Sequence, residues 1–323
     1  MPTQRVEPVK LTASESDVNE TSPAVIDTPI DRLTGLDAQT AWDAVALEEP
    51  LEIRLVYGPA NARATKSISV TMRTPGNDDE LAAGFLMTEG VIGDATDIEK
   101  IVSAAEKPGP AATEQKHLGE LHDRPQRNVV LVELAPAIKV NLASLERNFY
   151  TTSSCGICGK ASLLALQTVC PPRRVNTFSI DAEVLYSLPA RLREAQSVFD
   201  RTGGLHGAGL FDASGKLLAL REDVGRHNAV DKLVGAEFLA DRTPLRDSLL
   251  LLSGRASFEL LQKAVMSGVS MIAAIGAPSS LAVAVAKEFD MILVGFLREG
   301  RMNIYHGTRH IRREMTTKRD RQL

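Results

Sequence analysis

The chain has 323 residues, enough for two domains at roughly 150 residues each. With 44% hydrophobic and 24% charged residues it has the composition of an ordinary globular protein that folds without disulfide or metal staples. Lys plus Arg count 37 against 41 Asp plus Glu, a net charge of −4, which argues against a dedicated nucleic-acid binder.

The N-terminus, MPTQRVEPVKLTASESD, has no apolar signal core, and no apolar run reaches the roughly 18 residues of a bilayer span. Residues 1–25 are polar and aperiodic and are expected to form a disordered leader. Residues 51–57 (LEIRLVY) and 66–73 (KSISVTMR) alternate apolar and polar, as strands with one wet face do. Asp78 is placed to cap a helix through Leu81, Phe85 and Leu86. The Pro-, Gly- and charge-rich stretch 104–127 reads as a surface insertion, followed by a strand at 128–134.

After Tyr150 the pattern changes. Helices are expected at 160–169 and at 189–200, with Pro189 in the first turn of the second. Strands at 205–212 and 216–221 flank the Ala213-Ser214-Gly215 turn of a hairpin. Helices at 227–239, 256–267 and 279–287 then alternate with apolar strands at 249–253, 271–275 and 290–296. Continuous apolar strands between helices mean a sheet buried on both faces. The fold class is therefore α/β: a three-layer α/β/α domain over 151–310, after a smaller N-terminal α+β domain over 26–150. Residues 311–323 form a basic tail. Charge is uneven: residues 1–50 hold three basic and ten acidic residues, residues 298–323 eight and three. The basic end reads either as a solvated tail or as a surface for phosphate or an acidic partner.

Only three cysteines occur, Cys155, Cys158 and Cys170, too few and too odd for a disulfide framework, which points to the reducing cytoplasm. Cys155 and Cys158 lie in TTSSCGICGKAS, where three chemistries compete. C-x-x-C is half of a zinc or iron–sulfur site, but no second pair exists, so no tightly held metal is expected. Dithiol exchange usually follows a strand in a βαβ unit, which is missing around this motif. Nucleophilic sulfur chemistry needs a thiolate in an open position; a helix N-terminus near Lys160 favours it. The missing βαβ unit ranks this last chemistry above dithiol exchange, and two of three cysteines in one Gly/Ser setting argue against the bland reading of two small hydrophobes in a turn.

Five blocks occur in order: TSSCGICGKASL (152–163), FDRTGGLHGAGLFD (199–212), REDVGRHNAVDKLVG (221–235), LLSGRASFELLQKA (251–264) and GFLREGRMNIY (295–305). Together they resemble the FdhD family, sulfur carrier proteins required for formate dehydrogenase activity. The resemblance covers roughly residues 45–310 and implies a cytidine-deaminase-like fold. It implies a sulfurtransferase that accepts persulfide sulfur from a cysteine desulfurase. The sulfur passes to the molybdenum of the bis(molybdopterin guanine dinucleotide) cofactor before that cofactor enters formate dehydrogenase. The family's persulfide cysteine falls on Cys155, with Cys158 as its companion. Its cofactor-binding stretch falls on Phe296, Leu297, Arg298, Glu299, Gly300 and Arg301. A homodimer is the implied assembly, with no membrane and no nucleic acid as partner. The alternative function is a non-catalytic chaperone that only shelters the cofactor.

The physical reading of 296–301 agrees: Phe296 stacks on a purine, Arg298 and Arg301 pair with phosphate oxygens, and Gly300 lets backbone approach. The bland reading is a strand ending in a solvated charged turn. Asp223, Arg226 and His227 read either as pterin-binding or acid–base groups, or as helix capping plus an ion pair. His206 reads equally as a ligand contact or as a buried core histidine. The zinc signature of deaminases, H-x-E with P-C-x-x-C, is missing, so the fold likeness carries no deaminase activity.

Overall fold

The structure, a computed structural model, describes residues 24–104, 128–138, 140, 166 and 175–313. The three cysteines, nearly all of the 160–169 helix and of the 104–127 insertion, and most of the leader and basic tail lie outside those residues. Leu166 is described, and it is helical and buried.

Val25, assigned to the leader from sequence, instead opens β1 (Val25–Thr34), which pairs antiparallel with β2 (Asp37–Ala46). This hairpin is largely exposed and lacks a clean apolar alternation, which is why the sequence did not reveal it. β3 (Glu49–Tyr57) and β4 (Ala64–Arg73) confirm the next two expected strands. With β5 (Ile98–Ala104) and β6 (Val129–Leu134) they make a four-stranded sheet ordered β4-β3-β6-β5. Helix α1 (Asp78–Thr88) packs on it. Its N-cap is Asn77 in the left-handed conformation, not Asp78. The Asp78 carboxylate is instead held by the Arg73 guanidinium at 2.9 Å through both nitrogens, and a buried guanidinium needs that partner more than the helix needs a cap.

β7 (Ile180–Asp181) leads into α2 (Ala182–Ala195), and α3 (Ser197–Thr202) follows. The expected 189–200 helix is thus two helices, and Pro189 sits inside α2 rather than in a first turn. Burial of Leu185, Leu188 and Leu192 along one face offsets the roughly 3 kcal/mol that an interior proline costs. Next come β8 (His206–Phe211), β9 (Leu217–Asp223), α4 (Arg226–Leu239), β10 (Leu249–Leu252) and α5 (Phe258–Ser267). β11 (Met271–Ala274), α6 (Ser280–Glu288), β12 (Ile292–Arg298), β13 (Arg301–His306) and β14 (Ile311–Arg312) complete the order. The six-stranded sheet is ordered β13-β12-β11-β10-β8-β9. β10, β11 and β12 are parallel, and the β8–β9 hairpin lies at one edge, as the sequence implied. The tail begins later than expected, because Ile311 is buried and β14 pairs with β7.

Alternate residues of this sheet face two cores, which fixes the three layers. Leu250, Leu252, Ile272, Ala274 and Leu293 point to α4, α5 and α6. Leu249, Leu251, Met271, Ala273, Ile292 and Val294 point to α2. The first core continues into the small sheet, through Leu51, Ile53, Leu55 and α1.

The joint between the two sheets is the crossing of α1 and α4. A Cβ on Gly84 would lie 1.9 Å from the Asp231 carbonyl oxygen, and one on Gly235 would lie 1.8 Å from that of Glu80. Only glycine fits on either helix there. Buried ion pairs flank the crossing. Lys263 Nζ lies 2.9 Å from Asp231 and 3.2 Å from Glu89, and Asp231 accepts from Thr88 at 2.8 Å. Burial pushes the Asp231 carboxyl up to about 6, against the pull of Lys263. Burial also works against the Lys263 charge, yet Asp231 and Glu89 hold its pKa above the ordinary value. Lys232 meets Asp223 at 2.7 Å and donates to the Thr74 carbonyl at 2.7 Å.

Gly235→Ala forces the two backbones apart and is expected to destabilise the protein by about 3 kcal/mol or more in urea unfolding. Gly93→Ala, where a Cβ meets nothing within 4 Å, is the control and should change stability little.

Candidate functional site

Loops at the carboxyl ends of parallel strands build sites in α/β sheets, and here backbone hydrogen bonds stitch three of them together. Gly276 N–H donates to the Gly254 carbonyl at 2.8 Å, Phe296 N–H to the Gly276 carbonyl at 3.0 Å, and Ala256 N–H to the Ala277 carbonyl at 3.1 Å. A Cβ on Gly276 would lie 2.8 Å from the Gly254 oxygen and 2.9 Å from Arg255 N, so glycine is required for this closeness. These loops are therefore tied to one another beside the candidate stretch 296–301.

The stretch 296–301 is the tip of the β12–β13 hairpin rather than an open loop after the last strand. A bulge between Gly295 and Arg298 interrupts the pairing, and Phe296 adopts φ +53 within it. That conformation is rare for a bulky side chain. Its result is that Phe296 stands out of the sheet, 36% exposed, while Leu297 turns into the core with no exposure. The Leu297 side chain is thereby committed to packing. Arg298 Nη1 donates to the carbonyls of Ile275 at 2.7 Å and Leu297 at 2.8 Å, which holds the guanidinium over the strand ends. Gly300, at φ +67, supplies the positive φ of the turn, so its presence is explained by the chain reversal itself. Arg298 and Arg301 are register partners across the hairpin. Like charges directly opposite destabilise a strand pair, and among the described residues neither arginine forms a salt bridge. Two arginines in register at a hairpin tip, neither in a salt bridge among the described residues, are suited to an anion.

Across the edge, Asp223 is absorbed by the framework. It accepts from Gly225 N, Asn228 Nδ2 and Thr74 N at 2.8, 3.0 and 3.1 Å and pairs with Lys232, so capping plus an ion pair explains it. Arg226 opens α4, and its Nε is buried without a hydrogen-bond partner. His227 lies 3.4 Å from Ser257 Oγ and 4.0 Å from Glu259. Burial first, then the Arg226 and Lys263 charges, lower its pKa to about 4. His206 is also lowered, by burial and then by Arg226. It lines a cavity of about 440 Å3 with Arg193, Gln196, Phe199, Ser253 and Ile275. The sequence reading missed Arg193 and Gln196. The available signal was an apolar stripe, Leu185, Leu188 and Leu192, that ends in a glutamine at the next helical step. A larger cavity, about 830 Å3, opens at the opposite end of the sheet beside Met87, Phe238 and Phe289, away from these groups. Among the described residues no three His, Cys, Asp or Glu side chains converge on a possible metal position.

An unfolded imidazole titrates near 6.5 and folded His227 at about 4, so the unfolded chain binds more protons between those values. Stability contributed by this group is present above pH 6.5 and is lost as pH falls through the window. His227→Gln is expected to flatten the decline in unfolding free energy between pH 6.5 and 4, measured by urea titration at stepped pH.

The FdhD/NarQ family pattern matches residues 46–312. The chain is 50% identical over 279 residues to the sulfur carrier protein FdhD of Streptomyces avermitilis, covering 84% of this chain and 90% of that one. It is 47% identical over 267 residues to that of Mycobacterium tuberculosis, covering 82% and 91%. The crystal structure of a candidate formate dehydrogenase accessory protein from Desulfotalea psychrophila has the same fold, with a TM-score of 0.64 at 24% identity over 90% of this chain and 100% of that one. With the five blocks falling inside the matched span, the chain belongs to the FdhD/NarQ family.

Proposed function

We propose that this chain is a sulfurtransferase. It accepts sulfur from a cysteine desulfurase on Cys155 and delivers it to the bis(molybdopterin guanine dinucleotide) molybdenum cofactor, here a substrate, for formate dehydrogenase. The sulfur-carrier half is supported by the likeness to sulfur carrier proteins about half identical in sequence and by the TSSCGICGKAS motif. The accessory role toward formate dehydrogenase is supported by the resemblance of the whole block series. The observation that carries the acceptor half is the register pair Arg298 and Arg301 beside exposed Phe296.

Loading is a thiol exchange. The Cys155 thiolate attacks the outer sulfur of the desulfurase persulfide, a new S–S bond forms, and the donor cysteine leaves as its thiolate. Cys158 is the companion thiol. The substrate's phosphates are held by Arg298 and Arg301, and an aromatic ring stacks on Phe296. Glu299 and Gly300 form the turn between the two arginines, and Leu297 anchors the tip from the core. We place the protein in the cytoplasm; among the described residues no helix is long and apolar enough to cross a membrane. A homodimer belongs to this reading.

Incubation with a desulfurase and cysteine should add sulfur to the wild-type protein, and Cys155→Ala should gain none while remaining folded. Intact-protein mass spectrometry reads both. A chain that never gains sulfur is a cofactor chaperone instead. Arg301→Ala should weaken GDP binding about tenfold or more, the value of one charge-assisted hydrogen-bond pair, and should still load sulfur. Calorimetry measures the first, with Arg319→Ala as the control that should bind GDP like the wild type.

A further inference from the structure

Where α1, α4 and α5 meet, two carboxylates share one ammonium. Asp231 of α4 lies 2.9 Å from Lys263 Nζ of α5, and Glu89, just past α1, lies 3.2 Å from it. Asp231, Lys263 and Thr88 are buried, and Glu89 is largely so. With both carboxylates ionised the cluster carries one net negative charge in a dry layer, where such a charge is costly. Among the described residues no neighbouring group cancels it. Lys232, next on α4, is taken by Asp223 at 2.7 Å and by the Thr74 carbonyl at 2.7 Å. One turn up α4, His227 is neutral near pH 7, and the Arg226 charge is offset by Glu259, one turn up α5, which also accepts from the Ser257 hydroxyl.

The hydrogen bonds of the cluster leave a place for a proton. Thr88 Oγ1 donates to Asp231 Oδ1 at 2.8 Å and accepts from Lys263 Nζ at 3.1 Å. The Phe85 carbonyl, 3.3 Å from the same hydroxyl, is a second acceptor for it. A proton on Asp231 Oδ1 reverses the first bond. The carboxyl O–H then donates to Thr88 Oγ1, and the hydroxyl turns to donate to Phe85. Asp231 Oδ2 still accepts from Lys263, and Lys263, unlike Lys232, has a second counter-ion in Glu89. Both protonation states are thus fully hydrogen-bonded, and only the proton-carrying state is neutral.

We propose that this junction is a proton-operated latch: Asp231 and Thr88 take up one proton from solvent when α1 closes on α4 and α5, and return it when α1 lifts. The proton passes between solvent and Asp231 Oδ1, and no other group changes charge. Above neutral pH the latch keeps its surplus negative charge, so α1 is held less tightly there. Because α4 opens with Arg226 and His227, the latch ties proton concentration to the firmness of the candidate site's edge. The sense of the linkage follows from burial, which pushes the Asp231 carboxyl up to about 6 from its ordinary 3.8. Between those values the folded chain holds a proton that the unfolded chain lacks. Stability from this group is full below 3.8 and is lost as pH rises through about 6, the opposite sense to His227.

The test is thermal unfolding of the full chain in a His227→Gln background, which removes the opposing titration, at about pH 5 and about pH 7.5. Asp231→Asn fixes the proton-carrying geometry, since its amide donates to Thr88 and its oxygen accepts from Lys263. At the higher pH it should melt about 3 °C or more above the parent, and at the lower pH within about 1 °C of it. Thr88→Val, which lacks the hydroxyl, should melt below the parent at both and gain less on acidification. Infrared spectra of the parent, with no change at the junction, should show a protonated buried carboxyl at the lower pH that is absent at the higher. An ordinary buried ion pair predicts the reverse, with Asp231→Asn melting well below the parent at both pH values. That result, or no protonated carboxyl in the parent at the lower pH, overturns the proposal.

Discussion

Two glycines meeting across a helix crossing hold this molecule in its shape. Gly84 on α1 and Gly235 on α4 allow backbones to approach until no Cβ fits between them. That closeness brings the small sheet and the large sheet onto one apolar core. It also brings polar groups of both into a dry layer where each must find a partner. Lys263, Asp231, Thr88 and Glu89 close one network; Lys232, Asp223, Thr74 and Asn228 close another. Removing one member leaves a charge without its counter-ion in low dielectric, so these pairs fix the register of the crossing more than they add net stability.

The crossing also sets the site. α4 is the helix that begins at Arg226 and His227, and Asp223 just before it is locked by bonds to the small sheet. His206 opens β8, which pairs with β9 where that strand ends at Asp223. Arg226 and His206 are therefore positioned by contacts within the framework. On the other side of the sheet edge, the bulge at Phe296 and the Arg298 bonds to main-chain carbonyls hold the hairpin tip. In the function proposed above, an edge held this way would let an arginine pair and an aromatic face meet the substrate without a large ordering cost.

Much of the large domain was legible in the sequence because its strands are continuous apolar runs and its helices carry amphipathic spacing. LLLL at 249–252 and MIAA at 271–274 admit few other readings. The β1–β2 hairpin was not legible, since its faces both meet solvent and leave no alternation to read. Asp78 looked like a cap because caps are local, but the buried Arg73 claimed it from five residues away. Pro189 looked like a helix start because the tertiary burial of Leu185 and Leu188 cannot be seen locally. At the site, the stretch 296–301 could be named from the sequence, yet only the bulge reveals that Leu297 faces the core and Phe296 faces out. Gln196 was missed because an orphaned donor is a property of packing, not of composition.

The central claim is that one chain carries sulfur on Cys155 and holds the acceptor on the β12–β13 hairpin. Transfer from protein loaded with radiolabelled sulfur tests both at once. On addition of the molybdenum cofactor, the wild-type protein should lose its label to the cofactor, and loaded Arg301→Ala should retain most of it over the same interval. Equal discharge from both proteins, or label that leaves the wild type no faster with cofactor than without, would contradict the account.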